Sequence, residues 1–415
     1  GDIPANCSTA YPNDVLNSNN LGEWVCEHRY DALANMVQFR EVTAGQSVTN
    51  WQNIGGAPSN HIAFGLGSVG FVAINRTGSN ATTTYVTGMP DGVYCDVISG
   101  QRTADGSACT GDSVTVSGGQ IVGYTLNTMS ALAIHEQSLT GAPQLSVSQG
   151  FNLSRNGSNS VAAALLTHDG QFVAGQTVNF ALISGLGGVS SPGVVTNGAG
   201  AANVTYTAPN TVTIAIVRTS YAAANGQTYE ALTAVYVGYR ADVTDLYVGR
   251  LGGTVSLGGV ITATKTGVAT PLLTLAVFDG NPQDNQAGGS EKSPFVDVHL
   301  PDETGVTSLA VEIKCSTPCN GLDTVWWGNP VTGVWTAVAN AGVNFPGGRV
   351  TFTLNGGSTP SLSQLDGTPF VVSNVTPTTI VMKGMAAAAT PLLWPLLILG
   401  LSGGLTLLYL RRRLR

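Results

Sequence analysis

The chain has 415 residues, of which 53 are glycine and only 10 % are charged. That length implies about two to four domains, and the bias to Gly, Ser, Thr, Asn and Val is that of extracellular β-sandwiches, not of a soluble α/β enzyme. Formal charge is −7, and four of the 17 basic residues (Arg411, Arg412, Arg413 and Arg415) crowd the last five positions. The remainder carries 13 basic against 24 acidic groups, a balance that repels phosphate backbones and excludes nucleic acid as an expected partner.

Six cysteines fall into three local pairs: Cys7 with Cys26, Cys95 with Cys109, and Cys315 with Cys319. CxxC knuckles and interleaved histidines are missing, so disulfides are expected in place of a metal site. They imply an oxidising compartment. Gly1-Asp2-Ile3-Pro4 has neither a basic nor an apolar leader region, so an exported chain of this kind is expected to lack its own beginning.

Residues 22–40, GEWVCEHRYDALANMVQFR, read as one helix in a chain otherwise made of strands and turns. Tyr30, Leu33, Ala34 and Val37 form an i, i+3, i+4, i+7 stripe, which Ala32, Met36 and Phe39 widen. From His61 to His135 the pattern is strand and turn: HIAFGL, GFVAIN, ATTTYVTGM, GVYCDVISG, SVTVSG, QIVGYTLN and ALAIH. Pro90-Asp91-Gly92 and Gly118-Gly119 supply turn geometry between them. The spacing predicts a Greek-key antiparallel sandwich.

These segments carry a resemblance. WVCEHR, TNWQN, NHIAFG, GFVAIN, YCDVISG and the closing AIH stand in the order seen in the carboxyl-terminal part of glycoside hydrolase family 13 α-amylases, the animal-like, chloride-dependent branch above all. The similarity runs from about Trp24 to His135. It implies that residues 1–45 hold the end of a catalytic (β/α)8 barrel, its last helix included, and that 46–140 form the amylase C-terminal sandwich. The helix is then expected to pack against a barrel, and its apolar face to be partly exposed or collapsed onto the sandwich without one. In the animal enzymes the cysteine before the CEHR motif lies only a few residues upstream. Here eighteen residues separate Cys7 from Cys26, which leaves that pairing less firmly implied than Cys95–Cys109.

Starch hydrolysis by this family uses three carboxylates at the ends of barrel strands. The family's strand-end motifs for the nucleophile and the third carboxylate are not found, so no catalytic residue is expected in this chain. Glu27, His28 and Arg29 read as first-turn helix residues, with Glu27 favoured near the amino end. By the same resemblance no cofactor belongs to this chain; Ca²⁺ and chloride would belong to the barrel.

From about Gln144 the style changes to short strands with turn signals every 8–12 residues, an immunoglobulin-like pattern. HDGQFVAGQTVNF and TNGAGAANVTYT resemble the bacterial Ig-like repeats of invasin and intimin type, modules that act as stalks, and assign 144–240 to one such domain. A third sandwich is expected over 241–375, with strands in FVDVHL, LAVEIKC, DTVWWGNPVTGVWTAV, GGRVTFTL and PSLSQLDGTPFVVS. Trp326, Trp327 and Trp335 are candidates for stacking on sugar, with core packing as the alternative. Asp279, Asn281, Asp284 and Glu291 are candidate Ca²⁺ ligands in a glycine-bearing loop, with a solvated loop as the alternative.

Residues 386–415 contain LLWPLLILGLSGGLTLLYL followed by RRRLR. At about 1.5 Å per residue the apolar run matches a bilayer core of about 30 Å. Residues 392–410 are therefore expected to meet the membrane, with the arginines cytoplasmic and all that precedes Pro391 outside; a removable sorting tail is the alternative. The fold class expected is all-β: tandem antiparallel sandwiches with one amino-terminal helix and a carboxyl-terminal transmembrane helix. The function expected is that of the carboxyl-terminal portion of a surface-anchored α-amylase acting on α-1,4-glucans, its partners being the barrel, polysaccharide and the membrane. The competing reading is a non-catalytic surface stalk or binding protein that reuses an amylase C-terminal domain.

Overall fold

The computed structural model describes residues 31–374, apart from 57, 149, 284–289 and 330–331. Cys7 and Cys26, the first turn of the expected helix, Asp284 and the expected membrane segment lie outside the described residues. Among the described residues, no helix is long and apolar enough to cross a membrane.

Helix α1 spans Asp31–Val42. It closes where the Thr43 hydroxyl and N–H both donate to Phe39 O, at 2.8 and 3.0 Å, and the chain turns at Gly45 with φ of 77°, a left-handed conformation that glycine adopts freely. Its docking face holds only part of the expected apolar face: Met36 and Phe39 meet the sandwich, while the Leu33, Ala34 and Val37 stripe does not. Leu33 is 48 % exposed and Val37 68 %, and Ala34 is exposed with them. Asn35, Phe39 and Thr43 turn inward instead. The reason is local: the Asn35 amide donates to Val97 O (3.0 Å) and Gly100 O (2.8 Å), so a polar residue that interrupts the stripe is the one that anchors the helix.

The first sandwich contains β1 (Val48–Asn53), β2 (His61–Leu66), β3 (Gly70–Asn75), β4 (Ala81–Val86), β5 (Gly92–Cys95), β6 (Ser113–Val116), β7 (Gln120–Leu126) and β8 (Ser130–His135). One sheet has the order β1-β2-β3-β8, with β4–β7 and β5–β6 pairs beside it. β8 returns to lie next to β3, a Greek-key crossover. Phe71, Ala73, Leu132 and Ile134 face the sandwich core with Tyr85 and Tyr94. Val72 and Ala133 face the other way, onto Phe39 and Met36 of α1. That double cover explains why β3 and β8 are apolar on both faces.

Seven of these strands were legible from pattern. β1 was not, since VTNWQN does not alternate, Asn50 takes φ of 51°, and its register with β2 slips between Thr49 and Gln52.

The second sandwich contains β9 (Gln144–Val147), β10 (Phe151–Leu153), β11 (Ser158–Leu166), β12 (Thr177–Ser184), β13 (Gly188–Val189), β14 (Gly193–Val195), β15 (Ala201–Thr207), β16 (Thr213–Ala222) and β17 (Thr228–Val237). Its sheets run β10-β17-β16-β12-β14 and β13-β15-β11-β9. Pairing is antiparallel, as expected, except at one edge, where β10 lies parallel to β17.

The third sandwich contains β18 (Val243–Gly249), β19 (Thr254–Leu257), β20 (Ile261–Gly267), β21 (Leu273–Phe278), β22 (Phe295–His299), β23 (Val306–Lys314), β24 (Thr324–Gly328), β25 (Trp335–Ala337), β26 (Arg349–Leu354) and β27 (Thr368–Ser373). A six-stranded sheet, β18-β21-β22-β27-β24-β25, faces a four-stranded one, β19-β20-β23-β26. β21, β22 and β27 are buried along their whole length. Their outer face is covered by the second sandwich: Ile214, Ala234 and Tyr236 pack with Ala276, Phe278, Phe295 and Val371 in one apolar cluster.

Candidate functional site

The residues with the most chemistry gather where α1, the first sandwich and the second sandwich meet. The Cys95–Cys109 disulfide, with Cα atoms 5.4 Å apart, ties off a loop that this junction is built on. Asp96 Oδ1 holds the loop to the sheet by accepting the N–H groups of Ala133 (3.0 Å) and Ile98 (3.1 Å). Further along, the Arg102 guanidinium donates to Leu139 O (3.1 Å) and to Asp169 Oδ2 (3.2 Å) of the second sandwich.

Asp105 makes the tighter tie. Its Oδ2 accepts the Tyr221 hydroxyl at 2.8 Å and the Ala224 N–H at 2.9 Å, both from the second sandwich. Within the loop, Thr103 and Ser107 donate to the same carboxylate. Burial alone would raise this carboxyl, but the bonds from Thr103, Ala224, Ser107 and Tyr221 outweigh it and hold it at about 2. Asp105 is thus a fixed anion joining two sandwiches.

Beside this joint lies a cleft of about 510 Å³, lined among others by Gln38 of α1, Gln101, His135, Gln137 and Gln171. His135 is buried, its Nδ1 has no hydrogen-bond partner among the described residues, and its ring meets Phe39 edge-on at 6.1 Å. Burial, helped by the Arg102 charge, pushes its imidazole down to about 4, so it is neutral at ordinary pH. The Arg102–Asp169 pair also lines the cleft.

The expected sugar-stacking tryptophans lie elsewhere. Trp327 packs in the core of the third sandwich, and Trp335 and half-buried Trp326 in the cluster between the second and third. Packing holds these rings, the alternative the sequence left open. An aromatic ring that the sequence reading passed over is exposed: Trp51 on β1 is 55 % exposed and stacks on Phe64, centroids 5.6 Å apart and 13° from coplanar.

Of the Ca²⁺ candidates, Asp279 Oδ1 accepts the Asp242 N–H (3.0 Å), Asn281 Oδ1 accepts the Gln283 N–H (3.0 Å), and Glu291 bridges to Ser373. Asp279 and Asn281 thus accept backbone N–H groups and Glu291 sits in a backbone bridge, and among the described residues no cluster of three His, Cys, Asp or Glu could hold a metal ion. Cys315–Cys319 is a disulfide in the third sandwich. Arg102, Asp105, Asp169 and Tyr221 escaped the sequence reading because bonds spanning 67 and 116 positions leave no local pattern; the Thr103-Ala104-Asp105-Gly106-Ser107 turn inside a disulfide loop was the available hint.

Residues 51–137 match the family model described as "Alpha amylase, C-terminal all-beta domain". The first sandwich is amylase-like. An α-amylase of Oryzias latipes is 43 % identical over 118 residues, which are 28 % of this chain and 22 % of the relative. A pancreatic α-amylase of Struthio camelus is 42 % identical over 117 residues, with the same shares. The chain therefore spans about a fifth of the length of the curated relatives it matches. Among solved structures, α-amylase I from Eisenia fetida is 39 % identical over 29 % of this chain and 25 % of its own, with a TM-score of 0.23. The D0-D1 domain of intimin is 14 % identical over 56 % of this chain and 93 % of its own, with a TM-score of 0.26.

Proposed function

We propose that α1 and the amylase-like sandwich are the non-catalytic closing unit of an α-amylase acting on α-1,4-glucans. The catalytic barrel would be supplied from the same polypeptide or another chain. The observation that carries this is the outward face of α1: Leu33, Ala34 and Val37 lie uncovered beside a sandwich similar in sequence to animal amylases. An exposed apolar stripe on a docked helix is a surface made for another element. The carboxylates that would stabilise an oxocarbenium-like transition state belong in that barrel, so the closing unit braces and does not cleave. We read the second and third sandwiches as a spacer of Ig-like type, held outside the cell, and residues 392–410 as its membrane anchor.

A chimera tests this. Residues 31–140 replace the corresponding part of the Oryzias latipes enzyme, and starch hydrolysis and hydrogen exchange at α1 are measured. Retained hydrolysis with α1 amides slowed by the barrel is expected, while residues 1–415 alone leave starch intact. Starch cleavage by residues 1–415 alone, or a chimera that folds with α1 still exchanging freely, overturns the proposal. The anchor is tested separately: deleting 392–415 should move the protein from the membrane fraction to the soluble one.

A further inference from the structure

The cleft at the junction of α1, the amylase-like sandwich and the second sandwich is not accounted for by a bracing role. Its lining comes from both sandwiches: Gln38, Gln101 and Gln137 from one side, Asp169 and Gln171 from the other. About 510 Å³ falls within the usual range of small-molecule sites, roughly 300–1,000 Å³.

Its charges cancel. Arg102 is matched by Asp169, whose carboxyl is held below its usual value by the Thr167 hydroxyl and Arg102 against the opposing effect of burial. His135 is neutral for the reason given above. A phosphate, carboxylate or amine would find no unmatched partner there. What the cleft does offer is amides. Gln38 Nε2 donates to Gln137 Oε1 at 3.3 Å. Among the described residues, Gln101 and Gln171 bond through their backbone groups, with Thr110 and Thr167, which leaves both side-chain amides for a ligand. Each amide carries donors and an acceptor in one plane, the complement of adjacent hydroxyls that each donate and accept. The buried Nδ1 of His135, without a partner among the described residues, adds a further polar group at the cleft wall.

We propose that this cleft binds a short neutral oligosaccharide through the side-chain amides of Gln101 and Gln171. Because Asp169 and Gln171 belong to the second sandwich, the inference stands apart from the amylase reading; the chimera above lacks both, so either idea can fail without the other. With no Trp, Tyr or Phe among its lining residues, binding would rest on hydrogen bonds and be weak, with a Kd of about 1 mM, equivalent to about −4 kcal/mol.

The test is calorimetric titration of the full chain with maltotriose, cellotriose, trigalacturonate and inorganic phosphate. One of the neutral trisaccharides should bind at one site per chain. The double variant Gln101→Ala/Gln171→Ala, both positions exposed, should keep its thermal midpoint and bind at least tenfold more weakly. Trp51→Ala should bind as the parent does. Neither neutral sugar binding, affinity surviving the double variant, loss of binding in Trp51→Ala, or tighter binding of trigalacturonate or phosphate would each overturn the proposal.

Discussion

The Tyr236 hydroxyl donates to Asp297 Oδ2 across 2.9 Å, and both residues are fully buried between the second and third sandwiches. Among the described residues, Asp297 Oδ1 has no hydrogen-bond partner, and neither has Nε2 of His299, two positions along β22 and on the same face. Tyr239 and Asp366 complete the set of titratable groups around them. The joint between two domains thus contains a carboxyl and an imidazole shut away from water.

Burial raises the Asp297 carboxyl to about 7, with the Asp366 charge adding to it and the Tyr236 bond opposing. Its protonated form is the one the fold favours, so its contribution is full at acid pH and is lost as pH rises through about 7. Burial lowers His299 to about 4 despite the Asp366 charge beside it. That contribution is present above about 6.5 and is lost as pH falls towards 4. Thermal unfolding of the parent should therefore show a lower midpoint at pH 8 than at pH 6, and Asp297→Asn should remove that difference. An equal drop in both proteins would mean that Asp297 is not its source.

At the other joint the sign is reversed. Asp105, held at about 2, contributes stability above its unfolded value near 4 and loses it as pH falls towards 2. Asp105→Ala strands the Tyr221 hydroxyl and the Ala224 N–H, at about 1–3 kcal/mol for each buried group left unsatisfied. Limited proteolysis between Thr140 and Gln144 should accelerate in this variant. Unchanged cleavage would show that the apolar contacts alone hold the two sandwiches.

Asn35→Ala and Val37→Ala separate the two faces of α1. The first leaves Val97 O and Gly100 O without their donor and should destabilise the amylase-like sandwich by about 1–3 kcal/mol. The second trims an exposed side chain and should change stability by less than about 0.5 kcal/mol. Denaturant midpoints decide between this assignment and one in which the apolar stripe docks the helix.

Replacing Cys95 and Cys109 by serine should cost about 3 kcal/mol, since the bond closes a loop with a sequence separation of 14. The same change for Cys315 and Cys319, separated by 4, should cost about 2 kcal/mol. Loosening the first loop should also weaken the Asp105 tie. The Cys95/Cys109 variant should therefore cleave faster between Thr140 and Gln144, and the Cys315/Cys319 variant should not.

Strands such as HIAFGL and GFVAIN were legible because one buried face imposes a period of two, and turns such as Pro90-Asp91-Gly92 because few residues accept their backbone angles. The likeness of the first sandwich to amylases was legible for a similar reason: its motifs are short, local and ordered. β1 was lost because its twist is irregular and its residues polar.

By itself, the amino-acid sequence determined the all-β architecture, the disulfides Cys95–Cys109 and Cys315–Cys319, and the amylase-like character of the first sandwich. Each rests on residues within a few tens of positions of one another. Tertiary structure alone decided which face of α1 is buried, that Trp327 and Trp335 are core residues, and that Asp105, Arg102 and Asp297 bind one sandwich to the next. Those outcomes depend on partners 61 to 119 positions away. An unpaired amide, carboxylate or guanidinium finds such a partner only after the sheets have stacked, so no local period in the sequence records it.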